Sequence, residues 1–317
     1  MRVSKRIQRV VAPRRQMLTT LATTTAAAVV GLHHRATAAV AAWRPNYMLS
    51  SALYGTFPLA DILPEASKTG ASSIVLWPGP HGSQRQEIDT HGEEKVRALL
   101  AEHGVTLGAI ACYRLGPFNL ADEFALAARL GDGVTLVTGA QGNAQATGKA
   151  LKDEIKQFLE KLAPTIAAAE RTGGILVIEN HSNSLIKSPD SIRWFGELAK
   201  SNNLGIALAP HHLPQDADLV AGLARDLGSK LKFVYAQQHG KGSKEKLPKA
   251  DELLQMPGRG PLDFGPLMRQ LATMRFAGPI EIFMHPVPRG VPILDSVPEI
   301  TAEINRARAY LNRFIAG

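Results

Sequence analysis

From about residue 46 onward, short runs of β-branched and other apolar residues alternate with longer stretches whose apolar positions recur at helical spacing. Runs that are apolar throughout suit strands covered on both faces, and their alternation with amphipathic helices is the pattern of repeated βα units on a parallel sheet. The runs fall at 47–53, 73–77, 106–111, 134–138, 175–179, 205–209, 232–236 and 279–283. The helical stretches fall at 59–68, 93–103, 121–130, 149–171, 191–200, 217–227, 264–274 and 297–314. Eight βα units in the 275 residues from 43 to 317 predict a single (β/α)8 TIM barrel of the α/β class. A doubly wound sheet usually has fewer strands, and no G-x-G-x-x-G or Walker motif is present. The punctuation agrees: Gly104 and Gly173-Gly174 follow helices, and Ser188-Pro189-Asp190 opens one. The longest irregular segment, 240–262, follows the seventh run, where a barrel places it over the active face as a lid or a surface loop.

Charge changes the picture at one end only. The chain has 317 residues and a net charge of +8, a value that invites a nucleic-acid reading. Seven of its 36 basic residues precede Trp43, however, and the first acidic residue is Asp61, so residues 43–317 carry 29 basic against 28 acidic groups. Phosphate-backbone binding needs a basic surface, and no nucleic-acid partner is expected. Residues 1–42 combine basic residues, an apolar stretch from Gln16 to Leu32 and small residues around Ala36-Thr37-Ala38 and Ala39-Val40-Ala41. That order predicts an export signal, with Arg14-Arg15-Gln16-Met17-Leu18 resembling the twin-arginine type. The protein is therefore expected outside the cytoplasm, periplasmic or extracellular, meeting a membrane only through this segment, with the barrel spanning 43–317. An uncleaved anchor is the alternative, although five Thr dilute the apolar stretch. Cys112 is the only cysteine, so the fold holds without an intramolecular disulfide.

In a β/α barrel the chemistry sits at the C-terminal ends of the strands. Those ends are rich in histidine: Trp77-Pro78-Gly79-Pro80-His81 after the second run, Cys112-Tyr113-Arg114 after the third, Glu179-Asn180-His181 after the fifth, Pro210-His211-His212 after the sixth, Gln237-Gln238-His239 after the seventh, and His285 after the eighth. Imidazole and carboxylate gathered at one mouth suit a divalent metal such as Zn, Mn, Co or Fe. Glu179 stands out, because a lone carboxylate ending the run Ile-Leu-Val-Ile is costly to bury unless paired or metal-bound. Glu281 lies earlier in its strand and reads as structural. His211 and His212 are adjacent, and a regular strand points only one of two neighbours inward, although the strand has ended there. For each histidine taken alone, hydrogen bonding within a loop is the simpler role. Trp77, Tyr113 and Phe283 are candidates to stack on a sugar ring or to fill the core. Gln238, His81 and His181 are candidate substrate contacts, and Arg259 and Arg289 could clamp an anionic or polyol substrate.

These residues resemble the xylose isomerase-like family of barrels, which includes sugar isomerases, sugar epimerases and endonuclease-type DNA repair enzymes. The resemblance rests on Leu176-Val177-Ile178-Glu179-Asn180-His181, on Leu204 to His212, on Pro257-Gly258-Arg259-Gly260-Pro261-Leu262-Asp263-Phe264 and on Arg275 to Ile282. It implies a barrel holding one metal through a Glu, an Asp, a His and a Glu on strands five to eight, the two Glu often exchanging a proton with a sugar. Glu179 matches the first position. The Asp-x-x-His pattern falls on Ala209 to His212, the strand-seven His falls near Ala236, and the last Glu falls on Phe283. Either the site is rebuilt from Glu179, His212, His239 and His285, or the metal is lost.

The expected function is a sugar isomerase or epimerase that abstracts a proton next to a carbonyl. Glu179 would be the base or a metal-bound carboxylate, and His285 or His212 its acid partner. The same enolate chemistry would serve a lyase on oxidised glycosides, and a non-catalytic sugar-binding barrel is the reading from a different class. A small sugar or sugar derivative is the expected partner; the sequence leaves the oligomeric state open.

Overall fold

The computed structural model describes residues 43–241 and 244–315. Residues 1–42, and with them the expected export signal and its boundary, lie outside the described residues. Eight parallel strands close into a barrel in sequence order: β1 (Asn46–Ser50), β2 (Ser73–Leu76), β3 (Thr106–Ala111), β4 (Thr135–Gly139), β5 (Ile175–Glu179), β6 (Leu204–Leu208), β7 (Leu231–Ala236) and β8 (Pro279–Ile282). β1 and β8 complete the ring through Met48 opposite Glu281. The helices are α1 (Leu59–Lys68), α2 (Gln84–His91), α3 (Glu93–Glu102), α4 (Ala121–Leu130), α5 (Gly148–Lys161), α6 (Ala163–Thr172), α7 (Pro189–Leu198), α8 (Ala217–Leu227), α9 (Lys249–Glu252), α10 (Gly265–Thr273) and α11 (Val297–Asn312). The expected (β/α)8 class and all eight strand positions are observed.

Two local differences have physical causes. The single helix expected at 149–171 is two, α5 and α6, because Pro164 offers no N–H and crowds the preceding turn. The run expected at 47–53 is β1 followed by a 3-10 turn, Ser51–Tyr54, that ends at Gly55 with φ +59. Elsewhere the local chemistry acts as read: Gly173 closes α6 in the left-handed region at φ +70, and Ser188 opens α7 by accepting from Ser191 N at 3.2 Å.

The outer core is formed where helix stripes carrying Ile62, Val96, Phe124, Phe195, Leu223 and Leu267 cover the outer strand faces. The lumen is filled by a stack of aromatic rings. Trp77 lies against Phe283 at 4.7 Å with 7° between planes and against Tyr113 at 5.7 Å, and Tyr235 stands 5.6 Å from Phe283. Small residues opposite make room: Gly108 faces the Met48 side chain so closely that no Cβ could be accommodated without displacing it. Among the described residues, no helix is long and apolar enough to cross a membrane.

Candidate functional site

Glu179 ends β5 facing the lumen, in register with Gly139 on β4 and Ala207 on β6. Both neighbours are too small to cover it, so the rings of Tyr113, His211 and His212 can reach it. Burial drives its pKa up to about 8, a hydrogen bond from Tyr113 opposes the shift, and the Glu281 carboxylate adds to it. The same Tyr113 hydroxyl lies 3.0 Å from that of Tyr235. Glu281 is fully buried in the lumen, accepts from Trp77 Nε1 at 2.8 Å, and is pushed up to about 7 chiefly by burial.

After β6 the backbone stops being a strand. Pro210–His212 form a 3-10 turn, which rotates successive side chains by about 120° instead of the strand's alternation. Both imidazoles therefore turn toward Glu179, their Nε2 atoms each 3.9 Å from its Oε1, with ring centroids 4.0 Å apart. Asn180 fixes this turn: its Oδ1 accepts from Ala209 N at 2.7 Å and its Nδ2 donates to Ala209 O at 3.0 Å, extending the β5–β6 pairing with a side chain.

The surrounding imidazoles are held neutral. Burial lowers His212 to about 3 and His81 to about 4, and carries His211 and His285 well below the usual range. Neutral imidazole is the metal-binding form. His211 Nδ1 and Nε2, His212 Nε2 and His285 Nδ1 are buried without a hydrogen-bond partner. Buried polar atoms are rarely left so, and two of these, His211 Nε2 and His212 Nε2, face one carboxylate, an arrangement that fits a bound cation. Glu179, His211 and His212 offer ligand atoms that all lie within 4.8 Å of one another.

Of the quartet expected from the sequence, Glu179 and His212 fall in this group and His239 and His285 stand outside it. Glu179 and His212 come together, but His211 completes the group. His285 stands beside it, its ring 5.9 Å from that of His211, and His239 lies exposed on the cavity rim, its backbone N–H donating to Gln215 Oε1. A cavity of about 580 Å³ opens above the group, lined by His181, His211, His212, His239, His285 and Arg289 among others. His181 packs its ring 3.9 Å from that of His212, and His81 packs its own 5.1 Å from that of His285. Tyr113, half-buried, touches Glu179 as described.

Three expected substrate contacts are engaged elsewhere. Trp77 is buried and locked in the lumen by Glu281 and Phe283. Gln238 is fully buried, donating to Met256 O and accepting from Leu262 N, both at 2.8 Å, so its amide pins the segment 240–262. Arg259 lies outside the cavity lining and forms a two-pronged pair with Glu303 at 2.7 and 2.6 Å. Of the positions where the resemblance implied ligands, Ala209 is clamped by Asn180 and Phe283 is stacked on Trp77.

The sequence reading missed Gln255, which accepts from His285 N at 3.1 Å and from Gln237 Nε2 at 2.8 Å, and donates to His285 O at 2.9 Å. A buried amide in an irregular loop carries no signal of such a role. The segment 240–262 is thereby joined to the ends of β7 and β8, and it reaches the cavity through Gly240 and Lys244.

The fold recurs widely among solved structures. A xylose isomerase domain protein from Alicyclobacillus acidocaldarius matches with a TM-score of 0.61 at 18% identity, over 86% of this chain and 99% of that one. D-psicose 3-epimerase from Clostridium cellulolyticum H10, solved with D-tagatose, matches with a TM-score of 0.60 at 15% identity, over 85% and 99%. The IolI protein with a binding zinc atom matches with a TM-score of 0.63 at 13% identity, over 86% and 100%. No curated protein sequence matches the chain. The family model described as xylose isomerase-like TIM barrel matches residues 63–303, and the chain belongs to that family.

Proposed function

We propose that Glu179, His211 and His212 hold a divalent transition metal, and that the protein is a sugar isomerase or epimerase that moves a proton next to a carbonyl. The observation that carries this reading is the convergence of partnerless imidazole nitrogens on one buried carboxylate at the C-terminal mouth of the barrel. Two imidazoles and a carboxylate suit Zn, Fe or Co, with Mn a further candidate. When bound, such an ion supplies a Lewis acid for a substrate carbonyl, which acidifies the adjacent C–H. His285 is the proton acceptor in this reading: it is neutral, and its Nδ1 is buried without a partner beside the group. His81, with its ring 5.1 Å away, is positioned to share that proton before it returns to carbon. The zinc and the D-tagatose in the similar structures lend support to a metal and a sugar.

The test is metal analysis of the purified chain, followed by incubation with aldoses and ketoses in D2O. About one equivalent of metal and deuterium at a carbon next to the carbonyl are expected, both lost in Glu179→Ala. A Glu179→Ala protein that keeps both refutes the mechanism. The same incubation with oxidised glycosides distinguishes a lyase, which would release the aglycone and leave an unsaturated ketone. A non-catalytic sugar-binding barrel is the second reading, favoured by Phe283 and Ala209 standing where the resemblance implies carboxylate ligands; sugar binding without metal or exchange would select it. We read residues 1–42 as an export signal, which N-terminal sequencing of the protein from cell fractions checks.

A further inference from the structure

We propose that the substrate of this site carries an anionic group, a carboxylate or a phosphate, and that Arg289 and Lys244 receive it at the mouth of the barrel. The inference rests on the carbohydrate reading above and specifies its substrate class.

The lining of the mouth carries charge of one sign. Among the described residues, Lys244 and Arg289 line the cavity and no Asp or Glu does; the Glu179 carboxylate is buried, 3.9 Å from the Nε2 atoms of His211 and His212. Both cations share that lining with His181, His211, His212 and His285. An anion that enters the cavity meets a lining that carries both charges.

The remaining lining argues against a neutral sugar as the species the mouth is built for. Neutral sugars are commonly held against exposed aromatic faces, yet no Trp, Tyr or Phe lines this cavity, and Trp77 and Phe283 are stacked on each other below it. Arg289 is half-buried, and its Nη1 donates to Pro286 O at 2.7 Å, which holds the guanidinium at the cavity wall. A guanidinium meets a carboxylate or phosphate through two parallel hydrogen bonds, which orients the ligand as well as attracting it. With the anion fixed at Arg289, the body of a monosaccharide extends toward His285 and His211, which line the same cavity.

Calorimetric titration of the full-length, metal-loaded protein tests this with D-glucuronate and D-gluconate in one arm, D-glucose 6-phosphate in the second, and D-glucose and D-fructose in the third. Acetate and inorganic phosphate report binding of the bare anion. At least one sugar anion is expected to bind about tenfold or more tightly than its neutral counterpart, with the gap shrinking as salt is raised. The arm that shows the gap identifies carboxylate or phosphate. Arg289→Gln is expected to abolish the gap, and Lys244→Gln, an exposed position that cannot disturb the core, to narrow it; if Arg289→Gln does not fold, Lys244→Gln decides. Neutral sugars binding as tightly as the anions, or a gap unchanged by substitution, overturns the proposal while leaving the carbohydrate site intact. Binding by neither class overturns both.

Discussion

The two ends of the barrel make an instructive pair. The N-terminal end has the larger cavity, about 840 Å³ against about 580 Å³, lined by Asn46, Ser73, Thr106, Thr135 and Pro279 among others. Its walls are the first residues of the strands, mostly small or neutral. The C-terminal end is smaller, yet it gathers a buried carboxylate, histidines held neutral by burial, and the partnerless nitrogens of His211, His212 and His285. Volume alone therefore does not mark out the candidate site; partnerless buried polar atoms just past the strand ends do.

The sharpest way to break this contrast is to remove the carboxylate. Glu179→Ala is expected to lower turnover by two or more orders of magnitude and to abolish stoichiometric metal, read by steady-state kinetics and elemental analysis. Next in size, Gln255→Ala removes the bonds that hold the backbone of His285 and should cost about 1–3 kcal/mol in denaturant unfolding, with weakened turnover at an unchanged metal content.

A third test lies midway along the lumen. Glu281 has its pKa raised from 4.5 to about 7, so between these values the folded protein binds more protons than the unfolded chain. Its contribution therefore becomes more favourable as pH falls from above 7 toward 4.5, by about 1.4 kcal/mol for each pH unit within the window. Glu281→Gln should flatten that slope and stabilise the protein at pH above 7, measured by unfolding at several pH values. Thr106→Ala at the N-terminal end should change stability by no more than about 0.5 kcal/mol and leave metal content and turnover untouched; a larger effect there would erase the contrast.

The architecture was legible because a strand covered on both faces and an amphipathic helix each leave a periodic trace, and all eight strand positions follow from it. α2 left none: Gln84–His91 is mostly polar, and among its residues only Gln84 and Ile88 are buried. The site was legible where a single residue sufficed. Glu179 betrays itself as a carboxylate at the end of an apolar strand. His211 did not, because past the end of a strand the sequence leaves open which of two neighbours turns inward, and the 3-10 turn after β6 turns both. His239 and His285 stand outside the tight group for the complementary reason, since proximity along a strand end says nothing about where a loop carries the next side chain. The barrel's closure brings Tyr235 and Glu281 into register on neighbouring strands, a relation invisible before the register is known.

The stacked ring at the centre of the lumen also gives the molecule an optical handle. Of three tryptophans, Trp43 donates its indole N–H to Phe276 O and Trp194 lies by Lys152 on the helical surface, whereas Trp77 is pressed against Phe283 and donates to Glu281. Its indole N–H meets an ionisable carboxyl, and its ring lies 5.1 Å from that of His81, so its emission is expected to respond to both. Events at the mouth thus reach a fluorophore already present in the native chain, so proton uptake and ligand entry can be followed by intrinsic fluorescence without attaching a dye.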